Sequence, residues 1–264
     1  HPAHLSIDKS GKYLLVANYT SGNISVFPID KDGKLGEHTA FIQNYGSSVN
    51  PGRQTSPHAH FIQVIDDNRF VLVADLGIDK ILIFQFDSAT GSLKPNEPAY
   101  INLSPGSGPR HFAFTPSGKF LYVLNELTST VTVFDFDQAT ASSQSKQTIS
   151  TLPENYNGAN TAAEILVDSR GKFLYASNRG DNSIVQFGID PVSGMLTPIA
   201  WTSSGGKAPR NFEIDATGKW LFSANQNSDN ILLFKIDQEN GQLININQSI
   251  NIKSPVCIKF TSLK

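Results

Sequence analysis

Two side chains that bind anions and move protons stand side by side at Arg110 and His111, and an acid, Glu126, follows sixteen residues after the arginine. Between them runs an apolar stretch, "FAFTPSGKFLYVLN". A guanidinium grips oxyanions with a planar fork of donors, while an imidazole or a carboxylate can take a proton from water at neutral pH. Similar side chains recur elsewhere. "HAH" supplies His58 and His60, "APRN" supplies Arg210, and Glu164 and Arg179 flank a third apolar stretch. The "HAH" spacing puts both rings on one side of a strand.

The elements that must hold these groups come from an internal repeat. "GKYLLVAN" (11–18), "NRFVLVAD" (68–75), "GKFLYVLN" (118–125), "GKFLYASN" (171–178) and "GKWLFSAN" (218–225) align without gaps. Each is followed by a second signature, from "ISVFPID" to "ILLFKID", with its Phe at 27, 84, 134, 187 and 234. Alternating or continuous apolar runs, rich in β-branched and aromatic residues and cut by Gly turns, are strands. No segment has a helical period. A unit of about 40–50 residues with three or four strands is a β-propeller blade. A β-sandwich would not explain the long period. The chain is therefore expected to be all-β, one propeller domain over 1–264 with about five four-stranded blades, and "SPVCIKF" (254–260) is expected to be the first strand of a sixth.

Register can be counted from the turn. Gly118 suits a positive φ, and centring the hairpin between Ser117 and Gly118 sets residue 110 opposite 125 and 109 opposite 126. The same count sets Arg210 opposite Asn225 with Gln226 alongside, and Ala163 opposite Asn178 flanked by Glu164 and Arg179. Positions shared by every copy serve the fold, so Asn18, Asn125, Asn178 and Asn225 are read as bonding nearby loops. Positions that differ between copies are the site candidates. After the shared Asn or Asp come Tyr19, Leu76, Glu126, Arg179 and Gln226, and the inner strands open with His4, His58, His60, Arg110, His111, Glu164 and Arg210. The plainer reading is of ion pairs at a wet rim, Arg110 with Glu126 or Arg179 with Glu164.

Composition removes several function classes. A net charge of −2 gives no general attraction to nucleic acid or an anionic membrane. The single cysteine excludes an internal disulfide and a cysteine-cluster metal site. No apolar run approaches the ~20 residues of a membrane span. There is no Gly-x-Ser-x-Gly elbow, no Asp-rich calcium loop and no His-x-x-x-His pattern, so neither a serine esterase nor a metal or other cofactor is expected. The chain opens on His1 and its only methionine is Met195, so the natural start and any signal peptide are expected to lie outside it.

"RQTSPHAHF" (53–61), "ADLGIDKI" (74–81), "GSGPRHFAFTPSGKFLYVLNEL" (106–127), "AEILVDSRGKFLYASNRGDNSI" (163–184) and "APRNFEIDATGKWLFSANQNSDNI" (208–231) resemble the lactonase family of seven-bladed β-propellers. The resemblance covers essentially the whole chain. It implies a seven-bladed ring from which this chain lacks the N-terminal blade or two. The activity it implies is hydrolysis of 6-phosphogluconolactone to 6-phosphogluconate in the pentose phosphate pathway, with a phosphorylated sugar lactone as the only partner and the cytoplasm as the expected location. A related fungal cyclase of carboxy-cis,cis-muconate uses a histidine, two arginines and a glutamate. Carried over, these are His60, Arg110, Arg210 and Glu126 as catalytic residues, with His58, His111, Glu164, Arg179 and Gln226 as substrate-binding candidates. Opening a lactone needs a base for water, which Glu126 or a histidine would supply, and cations for the oxyanion or phosphate, which Arg110 and Arg210 would supply, with Arg179 as a further phosphate candidate. A cycloisomerase and a non-enzymatic binding propeller are the alternatives.

Overall fold

In the computed structural model, which describes residues 1–65 and 68–261, each copy of the repeat is one four-stranded antiparallel sheet. The first sheet is β1 (Pro2–Ile7), β2 (Tyr13–Asn18), β3 (Asn23–Pro28) and β4 (Ala40–Gln43). The second is β5 (Ala59–Ile65), β6 (Phe70–Asp75), β7 (Lys80–Asp87) and β8 (Ser92–Asn102). The third is β9 (Pro109–Phe114), β10 (Phe120–Asn125), β11 (Thr130–Asp137) and β12 (Ser142–Ser150). The fourth is β13 (Thr161–Val167), β14 (Phe173–Arg179), β15 (Ser183–Ile189) and β16 (Leu196–Ser203). The fifth is β17 (Pro209–Ile214), β18 (Trp220–Asn225), β19 (Asn230–Ile236) and β20 (Leu243–Asn251). Strands neighbour one another in chain order within every sheet, and no helix occurs among the described residues. This is the architecture of a propeller of four-stranded blades.

The inner hairpins form where they do because a carboxylate organises the turn. Asp8 accepts the backbone N–H groups of Ser10, Lys12 and Tyr13 at 2.8–3.0 Å. Asp215 does the same for Thr217, Lys219 and Trp220, and Asp168 for Lys172 and Phe173. In the third sheet Thr115 takes that place, its Oγ1 accepting from Phe120 N at 3.2 Å. The next turn residue is left-handed, as Gly118 was expected to be, with φ 70°.

The chain forms two compact units. Residues 1–112 with 136–144 make the first, and residues 113–135 with those from 145 onward make the second. The core of the first unit joins the facing surfaces of the first two sheets, with Leu15, Ala17, Ile24 and Val26 packed on Ile62, Val71 and Val73. In the second unit, one cluster joins Tyr122, Leu124 and Val133 to Ile165, Leu174 and Phe187, and another joins Tyr175 and Ile184 to Phe212, Leu221 and Phe234. A tyrosine reaches from one sheet to the outer turn of the next in both units. Tyr13 donates to Ala89 O, Tyr122 to Gly194 O at 3.0 Å, and Tyr175 to Gly241 O at 2.6 Å. Burial raises the phenol pKa of Tyr122 and Tyr175, so both stay protonated donors.

In the first, second, fourth and fifth sheets, counting register from the turn fails by one residue, at the corresponding place in each. Pro209, not Arg210, lies opposite Asn225, and Asn211 lies opposite Ala224, so Arg210 is the extra residue of a β-bulge. Ala162, not Ala163, lies opposite Asn178, with a shift before Ile165. The second sheet has its bulge at His60, between the pairs Ala59–Asp75 and Phe61–Ala74, and the first at Ala3. A bulge sets two residues of one strand against one of its partner, which a count along a regular ladder cannot foresee. The expected strand over 254–260 is also absent. Ile258 N donates to Asn211 Oδ1 at 2.7 Å, Lys259 pairs with Glu213, and the Phe260 ring meets Phe222. Side chains of β17 and β18 hold this segment, and no strand pairs with its backbone among the described residues.

Candidate active site

In the first unit, imidazoles gather around Tyr19, the residue after β2. The His58 ring stacks on Tyr19 at 4.5 Å between centroids and 12° between planes, and the His60 ring meets Tyr19 edge-on at 5.6 Å. The bulge breaks the simple alternation expected of "HAH", yet both rings still converge on one aromatic. His58 Nδ1 lies 2.9 Å from the Tyr19 carbonyl oxygen. A carbonyl only accepts, so Nδ1 carries a proton in this contact. His111 lies 5.1 Å from His60 and 4.6 Å from Phe61, ring to ring, and His4 completes the cluster at 5.8 Å from His111. Arg53 donates to the Tyr19 hydroxyl at 3.2 Å. His60 and His111 are buried, and so is Arg110 at 3% exposure.

The loop carrying His58 is fixed from below by Asp75, which stands where the other copies have Asn. Its Oδ1 accepts from His58 N at 2.6 Å and Gly77 N at 3.0 Å, and its Oδ2 from Asn44 Nδ2 at 2.8 Å. Asp75 is fully buried, and burial pushes its carboxyl above the ordinary carboxylate value against these hydrogen bonds, which favour the ionised form. The shared asparagines do serve the scaffold. Asn178 and Asn225 donate to the loop carbonyls of Thr151 and Ser204, whereas Asn18 and Asn125 bond side chains of the following strand.

In the second unit, Glu126 follows β10 and is buried, with Arg179 beside it. Arg179 Nη2 reaches Glu126 Oε2 at 2.9 Å and also donates to Ala162 O at 3.1 Å, while Ala162 N donates to Glu126 O. Arg179 therefore pairs with Glu126, not with Glu164 as the rim reading supposed. Glu164 instead accepts from Asn211 Nδ2 at 2.6 Å and from Ile165 N at 3.1 Å. Arg210 is half-buried at the bulge of β17, and Gln226 is anchored through its backbone N–H to Ala208 O at 3.0 Å.

Aligned by the bulge, the inner strands differ at the extra residue and at the one after it, which is His4, Phe61, His111, Glu164 and Asn211 in turn. The extra residue is Ala3, His60 and Arg210 in the first, second and fifth sheets and falls between Ala162 and Ile165 in the fourth, and "GPRHF" aligns Arg110 with it in the third. His60, Arg110 and Arg210 are three of the four residues nominated as catalytic. Bulges re-aim side chains away from the pleat, which suits residues meant to meet a ligand rather than a core. Tyr19 was visible as a variable position but Arg53 was not, because it lies in a loop outside the repeat. Asp75 carried a signal in the sequence as the one acid among five aligned positions.

Comparison with known proteins agrees with this architecture. The family described as lactonase, 7-bladed β-propeller, matches residues 1–260. A protein of Bacillus subtilis named 6-phosphogluconolactonase is 32% identical over 259 residues, which is 98% of this chain and 73% of that protein. One of Formosa agariphila with the same name is 37% identical over 80% of this chain. This chain spans about 60% of the length of that relative and of others among the curated ones it matches. The solved structure of a periplasmic gluconolactonase from Pseudomonas aeruginosa superposes with a TM-score of 0.93 at 34% identity, covering all of this chain and 74% of that one. With its repeated four-stranded sheets and a family match from end to end, the chain belongs to the lactonase family of seven-bladed β-propellers.

Proposed function

We propose that the protein hydrolyses a sugar lactone, with 6-phosphogluconolactone as substrate and 6-phosphogluconate as product, a step of the pentose phosphate pathway. The observation that carries this reading is the bulge position of the inner strands, which holds His60 in the second sheet and Arg210 in the fifth, with Arg110 at the matching place of the third by sequence alignment. The names of the Bacillus and Formosa relatives support the substrate. Water adds to the lactone carbonyl as a base removes its proton, a tetrahedral oxyanion forms, and the ring oxygen leaves and takes a proton. Glu126 or His60 is the base, a role worth roughly 10²–10⁴ in rate. Arg110 and Arg210 supply cations for the oxyanion or the phosphate, with Arg179, His58, His111, Glu164 and Gln226 as substrate contacts.

The test follows loss of 6-phosphogluconolactone against its spontaneous hydrolysis, with the full-length protein and an Arg110→Ala variant. Catalysed loss that falls about 10²–10³-fold in kcat/KM in the variant supports the reading. A wild-type rate equal to the spontaneous one sinks it. Unphosphorylated gluconolactone is run in parallel because the Pseudomonas neighbour is named for it. Faster turnover of that substrate would move the assignment away from the phosphorylated lactone.

A further inference from the structure

The turn between the second and third strands of each sheet contains a left-handed residue, and its side chain does a job outside its own sheet. These residues are Gly22, Asp79, Ser129, Asn182 and Asp229, with φ between 52° and 62°. Asp79, 4% exposed, gathers four donors. Its Oδ1 accepts from Gly108 N at 2.6 Å and Gln54 Nε2 at 2.8 Å, and its Oδ2 from Gly106 N at 2.7 Å and Ser48 Oγ at 2.5 Å. Gly106 and Gly108 belong to the loop that leads into Pro109 and Arg110, and Gln54 adjoins Arg53. The same bond recurs before other inner strands. Asn182 Oδ1 accepts from Ala208 N at 2.8 Å, two residues before Arg210, and Asp229 Oδ1 accepts from Ser254 N at 2.8 Å, at the head of a segment that forms no strand. Ser129 Oγ accepts from Asn160 Nδ2, just before β13. At Gly22 the loop takes the side chain's place, since a Cβ there would lie 2.4 Å from Pro57 O, next to His58.

We propose that Asp79 is a positioning residue for Arg110: its carboxylate latches the 106–108 loop and so fixes where the arginine's backbone enters β9. Asn182 does the same for Arg210. The inference rests on the reading of Arg110 as a group that meets the lactone. Gly106 and Gly108 give the loop wide backbone freedom, with φ 88° and 62°, and charge-assisted hydrogen bonds to their N–H groups remove it. A reacting group displaced by about 1 Å loses about 10²-fold in rate, so a latch two residues away is felt in turnover.

The experiment pairs hydrogen exchange with kinetics in the full-length protein. In Asp79→Ala, amide exchange over residues 104–112 is expected to accelerate, while exchange in β17 to β19 stays as in the wild type. kcat/KM is expected to fall about 10²-fold. The double variant Asp79→Ala with Arg110→Ala is expected to be no slower than Arg110→Ala alone, because a group acting through another adds nothing once that other is gone. Asp79→Asn, which keeps one acceptor oxygen as Asn182 does, is expected to recover part of the rate and serves if Asp79→Ala does not fold. Asp229→Ala removes a latch that precedes neither Arg nor His and is expected to stay within about twofold of wild type. Unchanged exchange over 104–112, or fully additive losses in the double variant, overturns the proposal. If the wild-type protein shows no lactonase activity the functional reading fails, and the exchange result alone then decides whether the latch exists.

Discussion

At the scale of single residues, the second unit stores a buried ion pair, and buried pairs act differently from surface ones. Arg179 and Glu126 expose 14% and 6% of their side chains, and their 2.9 Å contact is reinforced by the arginine's bond to Ala162 O. Removing Arg179 takes a close cationic contact away from the desolvated Glu126 carboxylate. Arg179→Met is therefore expected to cost about 3 kcal/mol in chemical denaturation, far above the ~0–1 kcal/mol of an exposed pair. A loss below 1 kcal/mol would show that the pair contributes no more than an exposed one. The sequence made both residues legible as candidates, because they occupy the variable place after the shared Asn. Their pairing was not legible. Counting along the strand set Arg179 beside Glu164, whereas β13 bulges between Ala162 and Ile165 and Glu164 bonds Asn211 instead.

At the scale of elements, the inner hairpins rest on the turn carboxylates Asp8 and Asp215. Burial alone would raise their pKa values, but bonds from Ser10 and Tyr13 in one case, and Thr217 and Trp220 in the other, outweigh it and hold both carboxyls below the usual carboxylate range. The sign follows by linkage. Below the ordinary carboxylate pKa the unfolded chain binds more protons than the folded one, so this stabilisation is complete above that value and is lost as pH falls through the lowered folded value. Asp215→Asn should lower the denaturation midpoint at neutral pH and flatten its decline in acid. An unchanged acid slope would remove Asp215 from the account. The strands themselves were readable because β-branched and aromatic runs alternate with Gly turns, and all five copies fold as expected. The bulges were not, since an extra ladder residue has no fixed composition: Ala, His and Arg all occupy it. The segment 254–260 misled for a related reason. Its alternating apolar residues fit a strand, but a strand exists only where a partner completes its ladder.

At the scale of the whole molecule, the formal charge of −2 means that the protein as a whole does not draw an anion from a distance. Any attraction for an anionic lactone is local, from groups such as Arg110 and Arg210. The association step should then depend weakly on salt, and kcat/KM is expected to change by less than about threefold between 0.01 and 0.15 M ionic strength. A tenfold fall would point to long-range steering. The repeat made the blade architecture legible from sequence alone, but the division into two compact units left no mark, because every copy has the same apolar pattern. That sameness has a consequence at the inner-strand bulges. The extra residue has no ladder partner of its own, so exchanging it leaves strand pairing intact. Four of the sheets thus offer a replaceable slot, and Ala, His and Arg have all been set into it on a frame that need not be respelled to change it.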